Sequence, residues 1–288
     1  MLPRKKREAF RAILAGNDVM RPGSVYDPVS ARIAEDIGFE LGLFGGSAAS
    51  LTILGDPDLV LITLSELAEQ VRRITRAGNI PVLVDADHGY GNALNVRRTV
   101  QELESAGAAG LTIEDTLLPQ AYSQTKPQLI SVEEGVGKMK AALDGRSDIS
   151  LVVAGRTGAA STTNIDDTIA RAKAYEAAGV DALFFTGLKT RAELQAISVA
   201  TKLPIILGSA DGELTDDLFL ASQRVRVASQ GHGPIAAATQ AVYDTLKALR
   251  DGVAPKDLRG LPSGELTDRV MRNVEMKARI ADFLGLKR

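Results

Sequence analysis

The chain has 288 residues, 45% of them hydrophobic, and a formal net charge of −2. A chain of this size can bury a substantial core, and its near-neutral charge argues against binding nucleic acid, which usually requires a basic face. The absence of cysteine excludes disulfides, thiolate metal ligands and a cysteine nucleophile or acid. No apolar run approaches the roughly 20 residues of a membrane span, and no signal-peptide core is present. We therefore expect a cytoplasmic protein without membrane or nucleic-acid partners.

Short apolar runs alternate with longer segments of helical periodicity along the chain. The predicted strands cover 19–23, 41–46, 81–87, 110–115, 151–156, 182–187, 204–208 and 225–229. Helical spacing of apolar residues is clear over 92–106 and 163–178, and several helices end at a glycine, the expected stop signal. Strand–helix units of roughly 25–40 residues indicate parallel strands with crossover helices. Eight such units predict a (β/α)8 TIM-type barrel, with an open doubly wound sheet as the alternative.

No linker or repeat divides the sequence, so we predict one domain over 1–288. The barrel would occupy about 15–252, including an eighth helix over 234–250, and a helical extension would follow over about 253–288. A helix starting near Glu265 carries an apolar stripe at three- and four-residue steps. The stripe consists of Val270, Met271, Val274, Ala278, Ala281 and Leu284. It would cover either another subunit or its own barrel, and the residues alone do not favour one of these.

The segment 84–92, Val-Asp-Ala-Asp-His-Gly-Tyr-Gly-Asn, is the most informative of the chain. It follows an apolar run, so a strand delivers Asp85 and Asp87 at its C-terminal end. Residues two apart on a strand share a face, and paired carboxylates are hard oxygen ligands suited to Mg2+ or Mn2+. The structural alternative is a strand end capped by a turn, where aspartate is common.

Other polar residues follow further predicted strands, at the edge where barrels of this kind collect their chemistry. They are Glu114 and Asp115 after strand 4, Arg156 after strand 5 and His232 after strand 8, with Asp58 in a loop. The glycine-rich stretch 44–48 after strand 2 adds backbone N–H groups, including those of Ser47 and Ala48, that could bind an oxyanion. This constellation predicts a divalent-metal site beside an anion site.

Each of these residues also has a structural interpretation. Arg156 could be an ion-pair partner, Glu114 or Asp115 could cap the next helix, and His232 could begin the last barrel helix. A tunable imidazole at a strand end suits proton transfer, which favours a functional His232. We interpret His88 as a turn residue.

Five motifs together resemble the phosphoenolpyruvate mutase/isocitrate lyase superfamily over most of the barrel. They are Gly46-Ser47-Ala48, Gly55-x-Pro57-Asp58, Asp85-x-Asp87-x-Gly89-Tyr90-Gly91-Asn92, Glu114-Asp115 and Gly155-Arg156. The resemblance implies a Mg2+ ion held directly by Asp85, with Asp87, Glu114 and Asp58 acting through coordinated waters. It also implies that Arg156 and the backbone at Ser47 and Ala48 bind an α-oxocarboxylate, and that the chemistry passes through a pyruvate-type enolate.

Departures from the superfamily pattern indicate the branch. The loop 117–126 lacks the cysteine of the lyases, and it has only Lys126 and no asparagine where the mutases favour both. Thr186 replaces a lyase glutamate, and Gly-Ser-Ala-Asp over 208–211 replaces lyase Asn and Thr-Glu residues. His232 has no counterpart in either branch. The chain is therefore most similar to the oxaloacetate decarboxylase branch.

That resemblance implies Mg2+-dependent decarboxylation of oxaloacetate to pyruvate and carbon dioxide through a metal-stabilised enolate. His232 would protonate the enolate or hold the water that does so, Ser47 would bind the substrate carboxylate, and the protein would be a homotetramer, a dimer of dimers with exchanged C-terminal helices. The alternatives are carbon–carbon lyase or phosphonopyruvate chemistry on another α-oxocarboxylate, a Schiff-base aldolase using Lys189, and a non-catalytic α-oxo acid sensor.

Overall fold

Eight parallel strands form one sheet in the order in which they occur in the chain. The computed structural model describes residues 2–285. The strands are β1 (Gly23–Ser24), β2 (Gly42–Phe44), β3 (Val82–Asp85), β4 (Gly110–Glu114), β5 (Val152–Thr157), β6 (Ala182–Phe185), β7 (Ile205–Leu207) and β8 (Val225–Ala228). The sheet is closed by Met20, which forms a parallel bridge to Val227. The predicted TIM-type barrel is therefore confirmed, and the open sheet is excluded.

The first strand is shorter than predicted and begins at Gly23 rather than at 19. Met20 still donates its N–H to Arg226 O at 2.8 Å and accepts from Ala228 N–H at 2.9 Å. Pro22 follows and has no N–H to donate, so a continuous ladder cannot extend back from Gly23 to Met20.

Ten α-helices and a short 3-10 helix (Gly212–Leu214) accompany the strands between residues 2 and 232. The α-helices are α1 (Pro3–Ala15), α2 (Pro28–Asp36), α3 (Gly46–Ile53), α4 (Leu64–Thr75), α5 (Ala93–Ser105), α6 (Val132–Gly145), α7 (Ala159–Thr162), α8 (Ile165–Ala178), α9 (Arg191–Ala200) and α10 (Asp217–Ser222). Side-chain caps fix several starts: Asn92 accepts from the N–H groups of Leu94 and Asn95 at the start of α5. Such caps satisfy the backbone donors that the first helical turn leaves free.

Helix α1 forms from the basic N-terminal segment, for which the sequence pattern predicted no element. Its Phe10 is fully buried and belongs to the core cluster that includes Leu83 and Val152. A Cβ on Gly110, at the start of β4, would lie 2.6 Å from the Phe10 ring. Helix α1 thus packs against the N-terminal ends of the strands, opposite the ends that carry the predicted site.

The chain separates into two compact units, Met1–His232 and Gly233–Arg288. The second unit contains α11 (Gly233–Arg250), α12 (Gly264–Met271) and α13 (Asn273–Leu284). The prediction of one continuous C-terminal helix is wrong, because Arg272 adopts a left-handed conformation with φ 57° and ends α12 before α13 begins. Between residues 2 and 285, no helix is long and apolar enough to cross a membrane.

Only part of the predicted apolar stripe is buried. Val270 is 9% exposed, whereas Met271, Val274 and Leu284 are 57%, 77% and 68% exposed. Exchange of these helices between subunits stays a prediction.

Candidate active site

The C-terminal ends of the strands surround a cavity of about 170 Å³. Five of the predicted site residues line it: Ser47, Asp58, Asp85, Arg156 and His232. Glu114 and Asp87 do not line the cavity but contact residues that do, because Glu114 pairs with Arg156 and the backbone N–H of Asp87 donates to Asp85 Oδ1 at 3.2 Å. The barrel therefore brings residues that are far apart in sequence, such as Ser47 and His232, to one cavity.

An ion-pair chain joins three neighbouring strands at this edge. Arg156 Nη1 on β5 lies 2.6 Å from Asp85 Oδ2 on β3, and Arg156 Nε lies 3.0 Å from Glu114 Oε2 on β4. The first contact is a directed hydrogen bond, whereas Nε makes a close charge contact without hydrogen-bond geometry. Although burial opposes ionisation of Asp85, the charge and hydrogen bond of Arg156 lower the pKa of that carboxyl.

Thr112 is a site residue that the sequence analysis missed. Its hydroxyl donates to Asp85 Oδ1 at 3.0 Å, and it is directly paired with Asp85 in the β3–β4 register. It lies two positions before Glu114 on β4, and strand alternation therefore puts both side chains on one face. That spacing is the signal that could have identified it.

Asp87 lies under the start of α3. A Cβ on Gly46 would lie 2.7 Å from Asp87 Oδ1, so only glycine allows this close approach. Tyr90 Oη donates to Asp87 Oδ2 over 3.4 Å. Burial, together with repulsion from Asp85 and Glu114, raises the pKa of Asp87 well above its usual value.

The four predicted acidic ligands repel one another across the site. Burial raises the pKa of Asp58 and of Glu114, and the Asp85 charge raises both further. The positive charge of Arg156 opposes these shifts but does not cancel them. Asp87 and Glu114 are buried, whereas Asp58 is exposed. A group of oxygen donors short of positive charge fits a hard divalent cation such as Mg2+ or Mn2+.

No three histidine or acidic side chains among residues 2–285 form a group that could hold a metal ion by themselves. The guanidinium of Arg156 lies between Asp85 and Glu114 and is the counter-ion of both.

His232 lies beside the first two strands of the barrel. Its Nδ1 is 2.8 Å from Ser24 Oγ on β1, and a Cβ on Gly45 would collide with its Nε2. Burial lowers the pKa of the imidazole, although the carboxylates of Asp85 and Asp58 oppose the shift. The ring is therefore held by a hydrogen bond on one side and close backbone packing on the other. Ser24 had no signal in the sequence, because a serine in a two-residue strand is unremarkable.

Asp115, Ala48, His88 and Lys189 do not line the cavity. Asp115 is fully buried and accepts from Arg171 Nη1 at 3.0 Å and Tyr175 Oη at 2.7 Å. It is therefore a buried ion-pair partner, neither the helix cap nor the site residue considered from sequence. Ala48 is buried inside α3, so any contact it makes with an anion would come from its backbone. Lys189 is exposed.

The sequence profile described as Phosphoenolpyruvate phosphomutase matches residues 10–250. The chain is also 71% identical over 283 residues to a protein of Bradyrhizobium sp. (strain ORS 278) named Oxaloacetate decarboxylase, covering 98% of each chain. A protein of the same name from Bradyrhizobium diazoefficiens is 70% identical over 285 residues, covering 99% of each. The chain belongs to the phosphoenolpyruvate phosphomutase family, and the predicted resemblance is confirmed.

Solved structures show the same fold. A phosphonopyruvate hydrolase in complex with oxalate and Mg2+ matches with a TM-score of 0.86 and 29% identity, over 97% of this chain and 99% of that one. An oxaloacetate acetylhydrolase bound to 3,3-difluorooxalacetate matches with a TM-score of 0.85 and 23% identity, over 99% of both chains. At that identity the second likeness shows the fold alone.

Proposed function

We propose that the chain is an oxaloacetate decarboxylase that depends on a divalent cation, Mg2+ or alternatively Mn2+. The observation that carries the proposal is that Arg156 and His232 line one small cavity together with part of the acidic cluster. The acidic cluster consists of the four carboxylates of Asp58, Asp85, Asp87 and Glu114. Relatives about 70% identical over nearly the whole chain carry the name of this activity. The cavity of about 170 Å³ suits a small α-oxo acid better than a large substrate.

The acidic cluster would hold the cation, with Asp85 as the direct ligand and Asp87, Glu114 and Asp58 acting through water. Mg2+ usually keeps several waters and takes one or two carboxylates from the protein, which agrees with this division. The cation, when bound, supplies positive charge that favours an enolate oxygen.

Arg156 and the N-terminus of α3 would bind the α-oxocarboxylate end of oxaloacetate. The first N–H groups of a helix have no acceptor within the helix, and α3 begins at Gly46 beside the cavity. Ser47 lines the cavity and would add a hydroxyl hydrogen bond to the substrate carboxylate. A guanidinium and oriented N–H groups stabilise negative charge where it develops.

Decarboxylation breaks the C3–C4 bond of oxaloacetate. C4 leaves as carbon dioxide, and the bonding electron pair passes into the enolate of pyruvate, whose C3 then takes a proton. His232 would deliver that proton or hold the water that does. Its orientation by Ser24 leaves Nε2 at the cavity wall beside Gly45. No covalent intermediate is required, which agrees with a chain that has no cysteine and an exposed Lys189.

Product analysis tests this proposal against carbon–carbon hydrolysis. We expect oxaloacetate with enzyme and Mg2+ to give pyruvate and carbon dioxide. Proton and carbon NMR of the reaction mixture identifies these products. Oxalate and acetate would instead indicate cleavage between C2 and C3. Borohydride with substrate should leave Lys189 unmodified, because trapping of the substrate on that lysine would indicate Schiff-base chemistry.

A further inference from the structure

The turn after β3 has an unusual backbone. Asp87, Gly89, Tyr90 and Gly91 all have positive φ, of 46°, 80°, 62° and 146°. Glycine adopts such angles freely, but Asp87 and Tyr90 do so at a cost in free energy and need surrounding contacts to hold them there. These two residues are the ones that reach the acidic cluster, since Tyr90 Oη donates to Asp87.

Four successive carbonyls of this turn are each held by a separate donor. Ala86 O accepts from Gly89 N–H at 2.9 Å, and Asp87 O accepts from Glu114 N–H at 2.9 Å. The next two carbonyls are held by side chains from the surrounding helices. Lys138 Nζ on α6 donates to His88 O at 2.9 Å, and Thr99 Oγ1 on α5 donates to Gly89 O at 3.0 Å.

Both side-chain donors are buried. Thr99 is fully buried and Lys138 is 3% exposed. A buried ammonium is unfavourable unless it is hydrogen-bonded and near negative charge. Burial lowers the pKa of Lys138, and the carboxylates of Glu134, Glu114 and Asp115 oppose that shift. The ammonium group of Lys138 therefore lies near the acidic cluster, but it is not part of the ion pairs that Arg156 forms with Asp85 and Glu114.

We infer that Lys138 and Thr99 are positioning residues that hold the turn 87–91 so that Asp87 and Tyr90 stay directed at the metal site. This inference rests on the proposed function, because it concerns the affinity of the acidic cluster for a cation. The helix α6 supplies a natural comparison. Lys138 faces the turn, whereas Lys140, two residues further along the same helix, is exposed.

Binding of Mn2+ without substrate, measured by the electron paramagnetic resonance signal of free Mn2+, tests the inference directly. We expect Lys138→Met to weaken Mn2+ binding by about 10- to 100-fold, the usual effect of losing a group that orients a ligand. Lys138→Arg keeps a cationic donor and should recover part of the affinity. Thr99→Val should weaken binding to a smaller extent, and the control Lys140→Met should bind as the wild type does.

Thermal unfolding of the same variants separates positioning from support of the fold. A merely structural role predicts a lower Tm with unchanged Mn2+ affinity, and that result overturns the inference. If Lys138→Met does not fold, a weaker affinity in folded Thr99→Val supports the inference and an unchanged one overturns it. If the wild type itself binds no Mn2+, the proposed metal site fails and the inference fails with it. Normal wild-type binding that is unchanged in both variants overturns the inference alone.

Discussion

At the scale of single residues, the site depends on two glycines that let side chains approach the backbone. Gly45 makes room for His232, and Gly46 makes room for Asp87. The sequence indicated that the stretch 44–48 lies near a ligand, but not that its lack of side chains accommodates these two groups. Such an arrangement depends on contacts between distant strands, and a single sequence contains no record of them.

Gly45→Ala should therefore disable the enzyme while leaving it folded. The new methyl group would collide with His232 Nε2 and displace the ring. A displacement of about 1 Å at a catalytic group typically costs about 10²-fold in rate, and we expect a loss of that order in kcat. Gly137→Ala is the control, because a Cβ there meets no atom within 4 Å. Activity of Gly45→Ala equal to that of the control would show that the position of His232 is unimportant.

His232→Gln should slow turnover by roughly 10²–10⁴-fold, the range for loss of a general acid. Binding of oxalate, a planar mimic of the enolate, should change much less, because it would depend on Arg156, the α3 N-terminus and the cation. Exchange of pyruvate methyl protons with deuterium should fall in parallel with turnover. If oxalate affinity falls as far as turnover, His232 is a binding group. If turnover and exchange stay near wild-type values, the residue is structural.

At the scale of elements, the buried carboxylate of Asp115 links the end of β4 to α8. Asp115 follows β4 directly, and Arg171 and Tyr175 lie one turn apart on α8. These contacts stabilise the end of the strand that carries Glu114. Sequence placed Asp115 correctly at the strand end, but its partners lie 56 and 60 residues away. The short-range pattern therefore could not distinguish a buried ion pair from a helix cap.

Arg171→Ala should lower the free energy of unfolding by about 3–5 kcal/mol, because it leaves the Asp115 carboxylate buried without its positively charged partner. Equilibrium unfolding in urea measures the change. Arg191→Ala is the matched control, since Arg191 pairs with Asp216 at the surface with both side chains more than 40% exposed, and such pairs contribute at most about 1 kcal/mol. Equal effects of the two substitutions would contradict a special role for the buried pair.

The ends of the helices show which features the sequence pattern predicts and which it does not. Helical periodicity and capping residues placed α5 and α8 well, since the predicted 92–106 and 163–178 contain Ala93–Ser105 and Ile165–Ala178. The break between α12 and α13 was missed. Left-handed residues at helix ends are usually glycine or asparagine, and Asn273 is adjacent, but the chain uses Arg272 instead.

At the scale of the whole molecule, eight regular strand–helix units were sufficient to predict the barrel. The division of the chain after His232 had no sequence signal, because no linker of distinct composition separates the units. The second unit exposes several large apolar side chains. Those on α11 and α13 include Val242, Tyr243, Val274 and Phe283, which are 58%, 62%, 77% and 80% exposed. Apolar surface of this kind commonly marks an interface.

We propose that this apolar surface is covered by other subunits in a homotetramer, the dimer of dimers with exchanged C-terminal helices that the family resemblance implies. Truncation at Gly264 removes α12 and α13. It should lower the number of subunits in the assembly, which the mass measured by sedimentation reports. Leu218→Ser, which replaces an 86% exposed leucine on α10, is the control and should leave the mass unchanged. A monomeric mass for both the full chain and the truncated chain would rule the proposal out.

The proposed decarboxylation of oxaloacetate depends on a divalent cation held by the acidic cluster around Asp85. The most direct measurement is carbon dioxide release from oxaloacetate by chelator-treated protein, with and without added Mg2+, for the wild type and Asp85→Ala. We expect background release without metal, enzymatic release once Mg2+ is added to the wild type, and background release from folded Asp85→Ala under both conditions. Metal-independent turnover by the wild type, or Mg2+-dependent turnover retained by Asp85→Ala, would contradict the proposal.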